Sequence, residues 1–386
     1  MIGLITFHGS HNYGSMLQAY ATQRSIESLG YNIEIVNFRM PSQKAYYSLY
    51  QTKYGAMRLF RGLLMLPIHK ARKSREQKFE KFLNDRYYLS DKEYNSYKEL
   101  SCVADKYEIC VSGSDQIWSN RIPEFVWSNT DYTGVYFLDF IDDKTKRISY
   151  ASSIGEATLD DLLDKKELLA KYIAISTRER KGEETLRALT NAPVATVLDP
   201  TFLMDRFQWR EIETPGQIVP GQYVFLYTLR GIRPGLKWAK ELTEFAKKIG
   251  LKIVCVSPFF PIVYPGITCL INVGPEDFIN LIDHAEVVFT DSFHGTAFSI
   301  NFEKPFYSMT PVSNNDNRKV DFLKELGLEK RILRSFEAIR KIKDYSLHYE
   351  KTSLILNRRR RESMEWLKEA LHKASGNLQN LDGAVK

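Results

Sequence analysis

The stretch Val288-Phe289-Thr290-Asp291-Ser292-Phe293-His294-Gly295-Thr296 decides how this chain is read. An apolar run closes on Thr290-Asp291, the pattern of a buried parallel strand reaching its carboxyl end. A tight turn follows, and then an apolar helical pattern whose first turn holds His294. Ligands of open α/β sheets bind outside the carboxyl ends of strands, and helix N-termini attract anions. Histidine is the side chain that titrates near neutral pH. An anionic substrate is therefore expected beside His294, with Asp291, Ser292 and Gly295 around it. The competing reading is a core histidine bonded to backbone.

Outward from this stretch the same rhythm repeats. Strands are expected at Ile2–Phe7, Asn32–Val36, Glu108–Ser112, Arg147–Ser152, Ile173–Thr177 and Ala195–Asp199, with helices at Ser15–Leu29, Glu76–Leu83, Leu159–Ala170 and Gly182–Leu189. Residues 1–205 thus read as one α/β domain with a mostly parallel sheet. Residues 206–220 contain Pro215, Gly216 and Pro220 and read as a linker. A second α/β domain spans 221–335, with strands Tyr223–Leu229, Leu251–Val256, Val287–Thr290 and Pro305–Met309. A long C-terminal helical pattern covers 336–375 and is placed to pack back on the first domain, and 376–386 is a polar tail. The fold class is α/β, two Rossmann-like domains.

The composition is that of a globular chain, 386 residues with 44% hydrophobic and 26% charged, a length that suits two domains better than one core. A net charge of +7 suits an anionic ligand or membrane surface, and without a nucleic-acid motif it does not point to nucleic acid. The four cysteines lack metal-ligand spacing and read as small core residues of a reducing compartment. No dedicated metal site or cofactor is expected. Met1 runs straight into a strand without the charged and apolar regions of a signal peptide, and no stretch of ~18 apolar residues occurs. The expected location is the cytoplasm.

Three further strand ends carry polar residues. The loop His8-Gly9-Ser10-His11-Asn12-Tyr13-Gly14-Ser15 fits neither a dinucleotide fingerprint nor a P-loop. Its glycines, its polarity and its two histidines suggest a binding loop, against a plain βα turn. In Gly113-Ser114-Asp115-Gln116, Asp115 reads equally as a base toward a sugar hydroxyl and as a helix N-cap. Arg178 can grip a carboxylate or phosphate at two points, or form a surface ion pair with Glu179. Arg318 and Lys319 add positive charge near the same rim, or are simply solvated. Two basic stretches, Arg58 to Arg75 and Arg358 to Arg361, suit either an anionic bilayer or packed helices with solvated charges.

In this order the segments resemble the polysaccharide pyruvyl transferase family. The matching stretches are Gly3-Leu4-Ile5-Thr6-Phe7, Asn12-Tyr13-Gly14-Ser15, Leu17-Gln18-Ala19-Tyr20, Gly113-Ser114-Asp115-Gln116-Ile117-Trp118, Ser149-Tyr150-Ala151-Ser152-Ser153, Arg178-Glu179, Leu198-Asp199-Pro200-Thr201 and Thr290-Asp291-Ser292-Phe293-His294-Gly295. The resemblance implies a glycosyltransferase-B-like fold. It implies transfer of a pyruvyl group from phosphoenolpyruvate to a sugar, often as a cyclic ketal, in making a capsule, exopolysaccharide or other surface glycan. The acceptor would be a glycan or lipid-linked sugar, with peripheral contact at the inner face of the cell membrane.

That chemistry needs a proton on the methylene carbon, a base for the hydroxyl and a clamp for carboxylate and phosphate. On the resemblance His294 is the acid, aided by Asp291. Asp115 is the base, and Arg178 with the helix N-terminus is the clamp. Substrate contacts are expected from Arg318, Lys319, Asn12, Tyr13, Gly14, Ser114, Ser292 and Gly295. One departure stands out: many family members carry an arginine at the position of Ser292, in an Asp-Arg-Leu-His pattern. Arg318, Lys319 or Arg230 would have to replace its charge. The rival readings are a nucleotide-sugar glycosyltransferase on the same architecture and a non-catalytic scaffold of a glycan-assembly complex.

Overall fold

The computed structural model describes residues 1–48, 66–126, 128, 130–229, 232–310 and 317–376. Two six-stranded sheets form the frame, and every strand pair in both is parallel. The first comprises β1 (Ile2–Ile5), β2 (Ile33–Ile35), β3 (Ile109–Ser112), β4 (Lys146–Ser149), β5 (Tyr172–Thr177) and β6 (Val194–Thr196), in the order β2-β1-β3-β4-β5-β6. The second comprises β7 (Tyr223–Tyr227), β8 (Lys252–Val256), β9 (Ile267–Leu270), β10 (Val287–Thr290), β11 (Phe306–Met309) and β12 (Ile332–Leu333), in the order β12-β11-β10-β7-β8-β9. This is a glycosyltransferase-B-like arrangement. The central strands are covered on both faces, so β1, β3, β7 and β10 are buried at every residue and read as continuous runs.

Each sheet reverses its strand order once. In the first sheet the reversal lies between β1 and β3, and in the second between β7 and β10. Such switch points open a crevice at the carboxyl ends of the strands. The loops after β1, β3 and β10 are those in which the sequence placed its candidate residues.

One apolar core crosses between the sheets, taking in Leu4, Tyr13 and Leu17 from the first half and Tyr227, Phe278 and Phe298 from the second. Helix α1 (Tyr13–Ser28) starts the crossing. Tyr13 stacks on Phe278 at 4.7 Å between centroids and donates from its hydroxyl to the Val273 carbonyl at 3.0 Å. Helix α2 (His69–Arg86) carries Arg75, which lies over the Tyr13 ring and donates to the carbonyls of His11 (3.1 Å) and Pro258 (2.8 Å). Arg75 therefore stitches the two halves together. Residues 49–65, which include the first part of the basic stretch that begins at Arg58, lie outside the described residues.

The expected helix over 336–375 is interrupted. Phe336–Lys341 is a short 3₁₀ segment, and the long helix α3 runs only from Glu350 to Ala374. Between them the Asp344 carboxylate accepts from the backbone N–H and the hydroxyl of Ser346, both at 2.8 Å, a local turn that competes with helix. Helix α3 packs along β4 and β5. There the Ser363 hydroxyl accepts from the Leu198 N–H at 2.9 Å. In the Arg358–Arg361 run, Arg359 donates to Thr196 O at 3.2 Å, and Arg360 to Phe202 O and to Asn301 Oδ1. Those two arginines join the halves. The short edge strands β9 and β12 were not anticipated. Among the described residues no helix is long and apolar enough to cross a membrane.

Ser363 is 1% exposed, so Ser363→Ala leaves the Leu198 N–H buried without a partner. It should destabilise the protein by about 1–3 kcal/mol, measured as a lower denaturation midpoint at unchanged slope. No change would mean that water or movement of α3 satisfies that group.

Candidate active site

The first half brings four strand-end loops together. After β1, Asn12 caps α1, its Oδ1 accepting from the N–H groups of Gly14 (3.0 Å) and Ser15 (3.4 Å). The turn aims the Ser15 hydroxyl across the switch point, where it donates to Asp115 Oδ2. After β3, Gly113 adopts φ 135° against the Tyr150 carbonyl, where a Cβ would overlap that oxygen. Asp115 sits at φ 75°, a left-handed position that aspartate tolerates better than most residues. Ser114 donates to Ala151 O at 2.8 Å and approaches Asp199 Oδ2 at 3.5 Å.

Arg178, just past β5, occupies the centre. Its side chain is 3% exposed, which excludes the alternative of a solvent-exposed pair with Glu179. It donates to Asp199 Oδ2 at 2.6 Å and to Asp115 Oδ1 at 3.2 Å. The nearest oxygen of Glu179 is 4.0 Å from its Nε, and the Phe293 ring from the second half covers its guanidinium at 4.8 Å. Asp199, just past β6, is wholly buried, and its Oδ1 accepts from Thr201 N (3.0 Å) and Oγ1 (2.7 Å).

His294 arrives from the second half. Ser292 caps helix α4, numbered here Phe293–Asn301, by accepting from the Gly295 N–H at 3.3 Å, which places His294 in its first turn. The imidazole is 10% exposed and lies against Gly14, where any Cβ would overlap the ring. Gly295 is likewise pressed on Thr290 and the Tyr227 ring. His294 Nε2 has no hydrogen-bond partner and stands 3.6 Å from Asp199 Oδ2.

The electrostatics follow from this packing. Burial would raise the Asp199 carboxyl, but the nearby His294 ring, then the Arg178 guanidinium and the Thr201 hydrogen bonds, outweigh it and hold the group far below the ordinary carboxylate range. Burial also opposes ionisation of Asp115, and Arg178, His294, Ser15 and the Gln116 N–H overcome it. Both acids stay ionised. Their oxygens are already engaged, which suits charge support better than proton abstraction.

Other expected residues fall differently. Asp291 accepts from Thr228 Oγ1 (2.6 Å) and Leu229 N (2.8 Å), pinning the second switch point, and it is Asp199 that faces His294 across the junction. Lys319 is 2% exposed and donates to the carbonyls of Asp291 (2.6 Å) and Met309 (3.1 Å). The side chains of Arg318 and Arg230 lie outside the described residues. Tyr13 and Asn12 shape the junction by packing and capping. Neither loop histidine joins the cluster. His8 is fully buried between Asn37 (3.0 Å) and the Thr6 carbonyl (3.3 Å), and His11 pairs with Glu80 at 2.8 Å. Among the described residues, Glu213, Asp283 and His284 bring ligand atoms within 4.8 Å of one another, but near the linker rather than here, and Asp283 is gripped at both oxygens by Arg210.

Asp199, Ser15, Glu179 and Phe293 were not singled out from the sequence as site residues. The signal available for Asp199 was an acid before Pro-Thr at a strand end, which reads as a cap; it does cap the 3₁₀ turn Pro200–Phe202. Ser15 carried only the signal of a helix start.

Two parallel α/β halves meeting at their switch points define a glycosyltransferase-B-like enzyme. The chain belongs to the polysaccharide pyruvyl transferase family, a family of transferases whose model matches residues 12–314. No curated protein matches the chain. Its fold is similar to that of a Listeria monocytogenes protein described as a UDP-N-acetylglucosamine 2-epimerase, at 10% identity and TM-score 0.56, over 92% of this chain and 90% of that one. The UDP-GlcNAc 2-epimerases of Methanocaldococcus jannaschii (14%, TM-score 0.53, 96% and 99%) and Neisseria meningitidis (13%, TM-score 0.51, 97% and 100%) are similar over almost their full length. At such identities the likeness concerns fold alone.

Two outcomes test this geometry. Gly→Ala within a helix ordinarily stabilises by roughly 0.5–1 kcal/mol. Gly14→Ala should instead destabilise by about 1–3 kcal/mol through overlap with His294, with part of the loss recovered in Gly14→Ala/His294→Ala. A stabilised single variant would show that the ring does not lie there.

Burial also lowers His8 to about 4. As pH falls from 6.5 toward 4 the unfolded chain takes up a proton that the folded chain refuses, so stability should drop by up to about 3 kcal/mol. Below that range the depressed Asp115, Asp199 and Glu80 (about 2) continue the loss as they protonate. Melting temperatures from pH 7 to 3 should show both phases, and His8→Gln should flatten the first. A first phase unchanged in His8→Gln would assign it to another group.

Proposed function

We propose that this chain transfers a pyruvyl group from phosphoenolpyruvate to a sugar hydroxyl, closing a ketal with a second hydroxyl, during surface-glycan assembly. The observation that carries the reading is the imidazole of His294, buried at a helix N-terminus with an unpartnered Nε2 and facing two ionised carboxylates. An imidazole so held, with a proton on Nε2, is suited to deliver it. The donor's methylene carbon requires one, and protonation there builds positive character at C2. The sugar hydroxyl oxygen then bonds to C2, the C–O bond to phosphate breaks, and the hydroxyl proton leaves on the departing phosphate. The N–H groups at the start of α4 and the nearby Lys319 would receive the phosphate and carboxylate. Arg178 braces the carboxylates in this scheme instead of gripping the donor, and Asp115 serves as charge support. The acceptor would be a glycan or lipid-linked sugar, met in the cytoplasm at the membrane face.

A nucleotide-sugar glycosyltransferase reading has the overall fold in its favour, and the two readings separate in one experiment. Millimolar phosphoenolpyruvate should raise the melting temperature, and a UDP-sugar should not. Incubation with phosphoenolpyruvate and a panel of glycans should give, by mass spectrometry, an acceptor carrying a pyruvyl group. The reverse pattern of protection sinks the pyruvyl reading. His294→Gln should fold and bind phosphoenolpyruvate within about tenfold, yet lose roughly 10²–10⁴ in kcat. In deuterated water the wild type should place deuterium in the product methyl group. Normal turnover by His294→Gln would assign the acid elsewhere.

A further inference from the structure

Arg178 carries one positive charge and contacts two buried carboxylates, Asp115 and Asp199. Their charges leave one negative charge unbalanced in a region closed to water. Glu179 adds to the excess. Its side chain is 3% exposed, and its Oε1 accepts from Ser153 Oγ (2.8 Å) and Ile154 N (2.9 Å), while its Oε2 has no hydrogen-bond partner. On the second half, Lys319 donates to backbone carbonyls and the Asp291 carboxylate accepts from Thr228 and Leu229. A buried unpaired charge is expensive, so the cluster calls for further positive charge. The group placed to supply it is His294.

We propose that Asp199 is the positioning residue of His294, holding the imidazole in its protonated, reaction-ready form from the opposite half of the molecule. This rests on the reading of His294 as the proton donor. Asp199 is fixed for the task. Thr201 holds Oδ1 with two hydrogen bonds, and Arg178 and Ser114 hold Oδ2. At 3.6 Å from Nε2, Oδ2 stands at ion-pair range and beyond a normal hydrogen bond. The carboxylate thus faces Nε2 without capturing it, and Nε2 remains free for a substrate atom. Asp115 is joined to the same Arg178 and tied to Ser15 on the loop that also carries Gly14, the residue beneath the ring. The carboxylates and the surface on which the ring rests are thus one rigid unit. Because His294 and Asp199 lie on different halves, the acid is armed only where the halves meet.

The test is Asp199→Asn in the full-length protein, an isosteric change that keeps an oxygen for Thr201. Binding of phosphoenolpyruvate should stay within about threefold and kcat should fall by roughly 10–100-fold. The alkaline limb of the kcat–pH profile should move to lower pH by about one unit, because the neutral amide no longer favours the imidazolium. The double variant Asp199→Asn/His294→Gln should be no slower than His294→Gln alone, since Asp199 acts through His294. Thr201→Val, which loosens Asp199 without removing it, should move the same limb in the same direction by less, and it stands in if Asp199→Asn fails to fold. An unmoved limb, a loss confined to KM, or losses that multiply in the double variant would overturn the assignment. Normal turnover by His294→Gln would instead overturn the reading beneath it.

Discussion

A guanidinium sealed from water between two carboxylates is an unbalanced arrangement, and much of this structure can be understood as what balances it. Arg178 comes from the end of β5, Asp115 from the end of β3 and Asp199 from the end of β6. Removing ionised groups from water costs several kcal/mol each unless their partners are well placed. The three strand ends must therefore lie level in one sheet for the cluster to exist at all. Parallel pairing supplies that level, since the carboxyl ends of all six strands lie on one edge. From the other sheet the His294 ring lies against the acids and the Phe293 ring over the guanidinium.

Topology explains why the meeting happens at this place. Both sheets reverse strand order once, and the loops that flank each reversal carry the polar residues. Across the first crevice Ser15 reaches Asp115, and across the second Asp291 reaches Thr228 and Leu229. Tyr13, Arg75 and Arg360 then hold the halves together with a stacked ring, two carbonyl contacts and a further bridge. The apolar core continues through the junction, so the charged cluster sits in surroundings of low dielectric, where each contact is stronger than it would be in water.

Much of the fold was legible because buried parallel strands announce themselves. Runs such as Ile109-Cys110-Val111-Ser112 and Val287-Val288-Phe289-Thr290 are apolar without alternation and end in turn residues. The edge strands β9 and β12 were not legible. One is half-exposed and four residues long, and the other has two residues. The break before α3 was also missed, because an aspartate that bonds its own neighbours looks the same in sequence as one on a solvated helix face. The loop after β1 misled in part. Its histidines suggested ligand contacts, but His8 turns into the core and His11 toward Glu80. A loop has no period from which the direction of a side chain can be read.

By itself the sequence determined which residue types stand at the strand ends, because local periodicity and turn chemistry are properties of neighbours along the chain. It marked His294, Asp115 and Arg178 as chemically apt and Ser15 as a helix start. Only the tertiary structure decided who partners whom. It gave Arg178 to two aspartates, set Asp199 and not Asp291 before the imidazole, and left Gly14 no side chain so that the ring could rest there. Those choices join residues far apart in the chain, from Arg178–Asp199, 21 positions apart, and Arg178–Asp115, 63 apart, to Gly14 and His294 on different halves. They depend on burial and charge balance summed over the whole junction, a sum that no local window of sequence contains.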